Sequence, residues 1–392
     1  MQGHIHKRVR TDKSGKERTL WYVVVDEGTD PTGRRKQKWH GSFRTRRDAE
    51  AARAKLVDQL HTGSYVSPTR TKFSEWAIDS WLPIIATRVK PSTLHSYRRN
   101  LEIHVLPALG GKPLQQITPV MLNTLYANLS SPGGERDALS AKTISYIHTI
   151  IHKALADAVD AELLQRNPAE RAKPPRPSRQ ATGGTQSWDP AELATFLTAV
   201  STTRLAAAWR LAAMTGMRRG EVLGLRWSDV DLDAARLAVR RAVVAVGYDV
   251  VDSTPKSHNA RVIDLDAETI TQLKTHRERQ AAERAEWGAD YQDNDLLVAK
   301  ENGEPIHPHQ FSQSFERIIA KAGLRKIRLH DLRHTHASLA LKAGIPVKVI
   351  SERLGHESPA FTLKQYAHVI PGMQAEAAAQ IAELIDGQRN AS

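Results

Sequence analysis

The stretch "PAERAKPPRPSRQATGGTQS", residues 168–187, limits what this chain can fold into more than any other. It holds four prolines, two adjacent glycines and four basic residues. Proline lacks the amide that a helix or ladder needs and pushes the residue before it into extended backbone, so no regular element runs through such a segment. The chain must therefore fold as separate bodies joined by an extended, partly stiff strap. With 392 residues there is length for two or three domains, each with its own core. A basic strap between bodies suits a clamp around a rod.

Ahead of the strap the patterning changes once. Residues 19–28, "TLWYVVVDEG", are aromatic and β-branched, "DPTG" (30–33) is turn material, and "RRKQKWHGSF" (34–43) alternates as a return strand. "TRRDAEAARAKLVDQLHTG" follows as a helix, with Thr45 as N-cap and Gly63 as stop. Residues 28–35 half resemble a phosphate loop, but the Lys-Ser/Thr ending is missing and the segment lies between strands, so that reading is rejected. After the linker "HTGSYVSPTR", residues 72–167 read as all-helical. Trp76 and Trp81 lie in the first helix, "PSTLHSYRRNLEIHV" is the second, and Thr118 with Pro119 opens the third. In the fourth, Ile144, Ile147, Ile151, Leu155 and Ala158 recur at steps of three and four, which marks a core face. Beyond the strap, Asp189 and Pro190 open a helical run to Gly216, a β-rich stretch covers about 237–265, and helices return to the end. The expected domains are 1–64, 70–175 and 188–392, with 176–187 as linker.

Charge follows the same division. Residues 1–62 carry 15 Lys and Arg against 8 Asp and Glu, residues 70–180 carry 15 against 9, and residues 181–392 carry 26 of each sign. The whole net charge of +13 thus lies ahead of residue 181, as in a chain whose front grips a polyanion. Candidate phosphate contacts are Lys7, Arg8, Arg10, Arg34, Arg35, Lys36 and Lys38 on a sheet that can lie in a DNA groove, and Lys90, Arg98, Arg99 and Lys142 on the helices. Cysteine is absent, which removes disulfides, thiolate zinc sites and a cysteine nucleophile, and agrees with a reducing cytosol. No amino-terminal h-region, apolar span or lipidation signal points to a membrane, so a cytoplasmic, nucleoid-associated chain is expected.

Six polar residues of the last portion stand where helix and turn logic exposes them. "TGMRRGEVLGLRW" places Arg218 after a glycine bend, and "DSTPKSHNARVIDL" puts Lys256 in a turn between strands. "LHDLRHTHASLALKAG" sets His330 and Arg333 three apart on one helical face. "LGHESPAFTLKQYAH" puts His356 at a helix end and Tyr366 in a new helix capped by Ser358 and opened by Pro359. Singly, each has a plain structural account: Arg218 can just pair with Glu221, Lys256 is an ordinary hairpin lysine, and a helical tyrosine usually packs. His330 and His334 are four apart but have no third ligand of clear spacing, so no metal or cofactor is expected.

Together the six meet a specific demand. Phosphodiester attack passes through a transition state with charge on the non-bridging oxygens, which arginine forks stabilise. The leaving alkoxide needs a proton, which a lysine in a turn can deliver. A phenol is weakly nucleophilic when neutral, so cationic neighbours must favour its phenoxide.

The ordered motifs "TGMRRGE", "TPKSHNARVIDL", "LHDLRHTHASL", "LGH" and "TLKQYAH" resemble those of the tyrosine recombinase, or phage integrase, family. The resemblance implies a multidomain α+β chain: a small sheet-plus-helix domain for arm-type DNA sites, an all-helical SAM-like core-binding domain, and a mainly helical catalytic domain with a small antiparallel sheet, the DNA breaking-rejoining fold. It also implies roles. Arg218 and Arg333 clamp the scissile phosphate, Lys256 protonates the leaving 5′ oxygen, His330 and His356 assist proton movement and phosphate stabilisation, and Tyr366 forms a 3′-phosphotyrosyl link. Gly220 stands where many members carry serine. The extra amino-terminal module favours an integrase of a phage or conjugative element over a chromosome-dimer resolvase. Double-stranded DNA at core and arm sites, a homotetramer built by exchange of the last helix (Ile381, Leu384, Ile385), a host DNA-bending protein and an excisionase are the implied partners. Two rivals are a non-catalytic DNA-binding regulator on the same fold, against which the intact set speaks, and a metal-dependent nuclease, which EDTA would inhibit.

Overall fold

The computed structural model describes residues 3–11, 17–29, 35–62, 65–133, 137–176, 186–253 and 260–366, and residues 378–379, 381–383 and 385–386. Contacts divide the chain into two compact units, Met1–Ser178 and Arg179–Ser392.

The first unit opens with an antiparallel sheet in the order β1 (His4–Thr11), β2 (Glu17–Thr29), β3 (Arg35–Phe43). Ile5 lies opposite Val23 and Lys38 opposite Val25. Side chains alternate across a strand, so one face carries Ile5, Trp21, Val23 and Val25. Helix α1 (Arg46–His61) covers that face, packing Ala49, Ala52, Leu56 and Leu60 on it. Thr45 caps α1 by accepting from the Asp48 amide at 3.1 Å, a bond worth about 1 kcal/mol. The opposite face carries His6, Tyr22 and Trp39, with Arg8 stacked over the Trp39 ring at 4.6 Å.

Next come a π-helical run Glu75–Trp81 that continues into α2 (Leu82–Ala86), then α3 (Pro91–Asn100), α4 (Leu106–Leu109), α5 (Pro119–Leu129) and α6 (Ala141–Asp160). The buried stripe of α6 is Ile144, Ile147, Ile150, Ile151, Ala154, Leu155 and Ala158. The two tryptophans anchor there: Trp76 donates its indole N–H to the Ala154 carbonyl at 2.8 Å and Trp81 to Asp157 at 2.6 Å. Trp81 also stacks on Tyr97. Burying such large rings supplies most of the driving force, and satisfying the N–H removes the penalty of hiding it.

The second unit starts with Trp188, buried against Phe196 and Phe315. Asp189 and Glu192 form a reciprocal capping box at the head of α7 (Pro190–Val200). Helix α8 (Ala206–Thr215) carries Trp209, which stacks on Phe311 with ring centroids 4.1 Å apart. After α9 (Arg219–Leu223) come β4 (Val230–Asp231), β5 (Arg236–Val239), β6 (Ala242–Val246), β7 (Asp249–Ser253) and β8 (Arg261–Asp264). These make two separate antiparallel pieces, β4-β5-β8 and the hairpin β6-β7. Helices α10 (Ala267–Trp287), α11 (Pro308–Lys321), α12 (Asp331–Lys342), α13 (Val347–Leu354) and α14 (Pro359–Tyr366) complete the unit. Among the described residues no helix is long and apolar enough to cross a membrane.

Candidate active site

Five of the six chemically singled-out residues lie at element ends in the second unit. Arg218 precedes α9, and its backbone amide and guanidinium both bond Glu221, at 2.9 and 2.8 Å. Glu221 is 1% exposed and also receives Arg261 at 2.6 Å. The two guanidiniums hold its carboxylate ionised, below the usual range, against the opposing cost of burial. Arg261 extends the lock by donating to the Arg353 carbonyl at 2.7 Å.

Arg333, on α12, is 3% exposed. It donates to the carbonyls of Gly216 at 2.8 Å and Leu354 at 2.7 Å. Those partners fix the fork but bring no formal charge. Burial, and then Arg218, push the guanidinium down to about 9, so the site holds a cation that an incoming anion would stabilise. Gly355 ends α13 with φ +64°, a left-handed conformation that needs glycine. That reversal carries the chain into His356, whose Nδ1 pairs with Thr362 Oγ1 at 2.7 Å. Burial lowers the His356 pKa to about 4, assisted by Arg333, Arg218, His334 and Arg261. His330 is exposed, and His334 one turn on meets it edge-to-face, ring centroids 5.2 Å apart. Although part of the residue meets solvent, the protein around its ring removes enough water to lower the His330 pKa too, with Arg333 next in effect.

Tyr366 closes α14, which Ser358 caps by accepting from the Phe361 amide at 3.2 Å. The residue is 1% exposed, and its ring lies 6.5 Å from that of His356, the planes nearly parallel. Its hydroxyl pairs with His334 Nδ1 at 2.8 Å. Burial pushes the phenol up to about 12, with Arg333 pulling the other way, so only about one part in 10⁵ is ionised near neutral pH. Such a site can bind an anion between two fixed guanidiniums and offer it a phenolic oxygen, provided something takes the proton.

Three family patterns match the chain: Phage integrase family over residues 187–372, Arm DNA-binding domain over 8–60, and Phage integrase, N-terminal SAM-like domain, over 72–130. The chain belongs to the phage integrase family. It is a tyrosine recombinase, an enzyme of site-specific DNA recombination. This integrase is 27% identical to a XerC-like tyrosine recombinase of Caldanaerobacter subterraneus, over 96% of this chain and 99% of the relative. It is 26% identical to the ICEBs1 integrase of Bacillus subtilis, over 94% and 98% respectively. The same fold occurs in the Tn1549 transposon integrase in complex with a circular intermediate DNA (TM-score 0.63, 19% identity, 79% of this chain and 99% of that one). It occurs again in a lambda integrase dimer bound to a COC′ core site (TM-score 0.55, 19% identity, 92% and 96%).

In this integrase Arg218 and Arg333 both reach the chain leading into His356, at the Gly355 and Leu354 carbonyls, and Tyr366 lies against His356 and, through His334, close to His330. Lys256 lies outside the described residues, between β7 and β8. Of the basic residues named for DNA, Arg8 and Arg10 alternate onto the Trp39 face of the sheet, whereas Lys7 falls on the α1 side, 6.0 Å from the Trp21 ring. Lys38 is engaged by Ser67 and by the Pro68 carbonyl, at 2.8 Å for the latter. Arg34 and the side chains of Arg35 and Lys36 lie outside the described residues. On the helices, Lys90 stands at the N-cap of α3, Arg98 pairs with Glu102, and Arg99 and Lys142 are exposed.

Sequence reasoning passed over Arg261 and the part played by His334. Arg261 is the first residue of a short strand, where a basic residue is ordinary, and no local pattern signals that it shares Glu221 with Arg218. His334 had a signal: four residues after His330, it lies on the same helical face as the chemistry. That spacing suits a metal pair as well as a proton partner, and spacing alone does not separate the two.

Proposed function

We propose that this integrase cleaves and rejoins DNA through a covalent 3′-phosphotyrosyl intermediate at Tyr366, integrating or excising a mobile element. The observation that carries this reading is the convergence on one loop: Arg333 holds the Leu354 carbonyl at 2.7 Å and Arg218 reaches the Gly355 carbonyl at 3.5 Å, the two residues that lead into His356, whose ring lies nearly parallel to that of Tyr366. Arg218 and Arg333 hold the non-bridging oxygens of the scissile phosphate, Tyr366 Oη attacks phosphorus, and the 5′ oxygen leaves with a proton from Lys256. His330 and His356 assist proton movement and stabilise the charge that develops on the phosphate. No nucleotide cofactor is needed, because one phosphodiester is exchanged for another and the bond energy stays in the adduct. Domain 1–64 would hold arm sites and 70–175 core sites, with a host DNA-bending protein and an excisionase setting direction in a bacterial cytoplasm.

The test is a duplex nicked beside the crossover point, which loses a short fragment on cleavage and traps the adduct. A complex that survives SDS, forms in EDTA and disappears in Tyr366→Phe is expected. A wild-type chain that forms no such adduct, or one that Tyr366→Phe still forms, overturns the reading.

A further inference from the structure

We propose that His334 is the residue that takes the phenolic proton from Tyr366, a catalytic base additional to the six residues above; this rests on the phosphotyrosyl reading. Its Nδ1 lies 2.8 Å from Tyr366 Oη. Oη is shut away from solvent with the rest of the side chain, so bulk water is a poor acceptor. The His356 ring lies nearly parallel to the phenol ring with centroids 6.5 Å apart, and its Nδ1 is already engaged by Thr362. His330 is one turn back, at the head of α12, touching His334 edge-on.

The protonation states agree with the geometry. The phenol, pushed up to about 12, carries its hydrogen at neutral pH. His334 is lowered to about 4, chiefly by burial and by His330, so one ring nitrogen is unprotonated there. The phenol therefore donates to Nδ1 when the ring proton is on Nε2. The groups that face His334 are His330, Asp331, Arg333 and Arg328 from the α12 side and Tyr366 and His356 from the α14 side. An arriving phosphate adds negative charge among these cations, which favours the imidazolium.

The step balances. As the Oη–P bond forms, the O–H bond breaks and its proton passes to Nδ1. The P–O5′ bond breaks with its electron pair on O5′, which receives a proton from the general acid. In rejoining, the imidazolium returns its proton to Oη as the phenoxide leaves.

The experiment measures single-turnover cleavage of the nicked duplex by the full chain. His334→Gln keeps a polar side chain of similar reach but is no base in the working pH range. A loss of about 10²- to 10⁴-fold near neutral pH is expected, shrinking as rising pH ionises the phenol, with duplex affinity and melting temperature unchanged. The loss should persist on a substrate whose 5′-bridging oxygen is replaced by sulfur, since a thiolate leaves without a proton; the deficit of Lys256→Ala should vanish there. If His334→Gln melts early, His334→Ala supplied with free imidazole replaces it, and recovery of cleavage is expected. Cleavage by His334→Gln within about threefold of wild type, a deficit of constant size across pH, repair by the sulfur substrate, or no imidazole rescue each overturns the assignment. A wild-type chain that forms no Tyr366 adduct overturns the reading beneath it instead.

Discussion

Glu221 carries an unusual share of the second unit's electrostatics. A carboxylate this deeply buried is tolerable only if paired, and two guanidiniums pair it while Arg261 ties the cluster on to the Arg353 carbonyl. Three histidines of the same unit face the opposite difficulty: they lose water with cations close by. Burial comes first in lowering His334, His336 and His356 to about 4, against an ordinary 6.5, and Arg333 or Arg353 adds to it. Between those values the unfolded chain binds more protons than the folded one. Stability is then complete above about pH 6.5 and is lost as pH falls towards 4. Melting followed by circular dichroism across that window should show this decline. His336→Gln should make it shallower by about 1.4 kcal/mol per pH unit, the worth of one proton. An unchanged slope would mean that His336 does not titrate with folding.

Among the elements, the contact of α9 with β6 has the least freedom. A Cβ built on Gly220 would lie 2.5 Å from the Val243 carbonyl oxygen, and one on Gly224 would lie 3.1 Å from the Ala242 backbone. Strand β6 thus runs directly against the helix that begins beside Arg218, a physical reason for glycine at this position. Gly220→Ala should force the strand away, at a cost of about 1–3 kcal/mol. Because β6 pairs with β7, which leads to Lys256, cleavage of the nicked duplex should fall more than binding. Equal stability in urea would show that the strand yields freely. Much at this scale was legible in advance. Thr118, Asp189 and Ser358 are local caps, and the structure has each of them accepting from the amide three residues on. The stripe of α6 is equally local. The split into β4-β5-β8 and β6-β7 was not legible, because both pieces show the same alternation and differ only in partner. For the same reason the contact of α12 with α14 that joins His334 to Tyr366 leaves no mark in spacing.

For the whole molecule, the chemistry proposed above is nearly isoenergetic, so assembly must set its outcome. If this integrase works as four protomers on two duplexes, the assembly needs contacts beyond DNA, and the residues around Ile381 are a candidate source. Ile381 and Ile385, which an i, i+4 spacing puts on one helical face, are 60% and 54% exposed in the single chain; Leu384 lies outside the described residues. Apolar side chains in that pattern gain by docking on a neighbour, each worth about 1.5–3 kcal/mol when fully covered. Ile381→Asp with Ile385→Asp should therefore leave one protomer's duplex affinity intact, since the excess positive charge lies ahead of residue 181. The same pair should abolish the four-protomer complex seen by sedimentation of the mixture with two attachment duplexes. Recombination should be lost while cleavage of a single nicked site survives. Tetramers of undiminished yield would mean that protomers join through another surface, and that the amphipathic end of the chain serves its own fold.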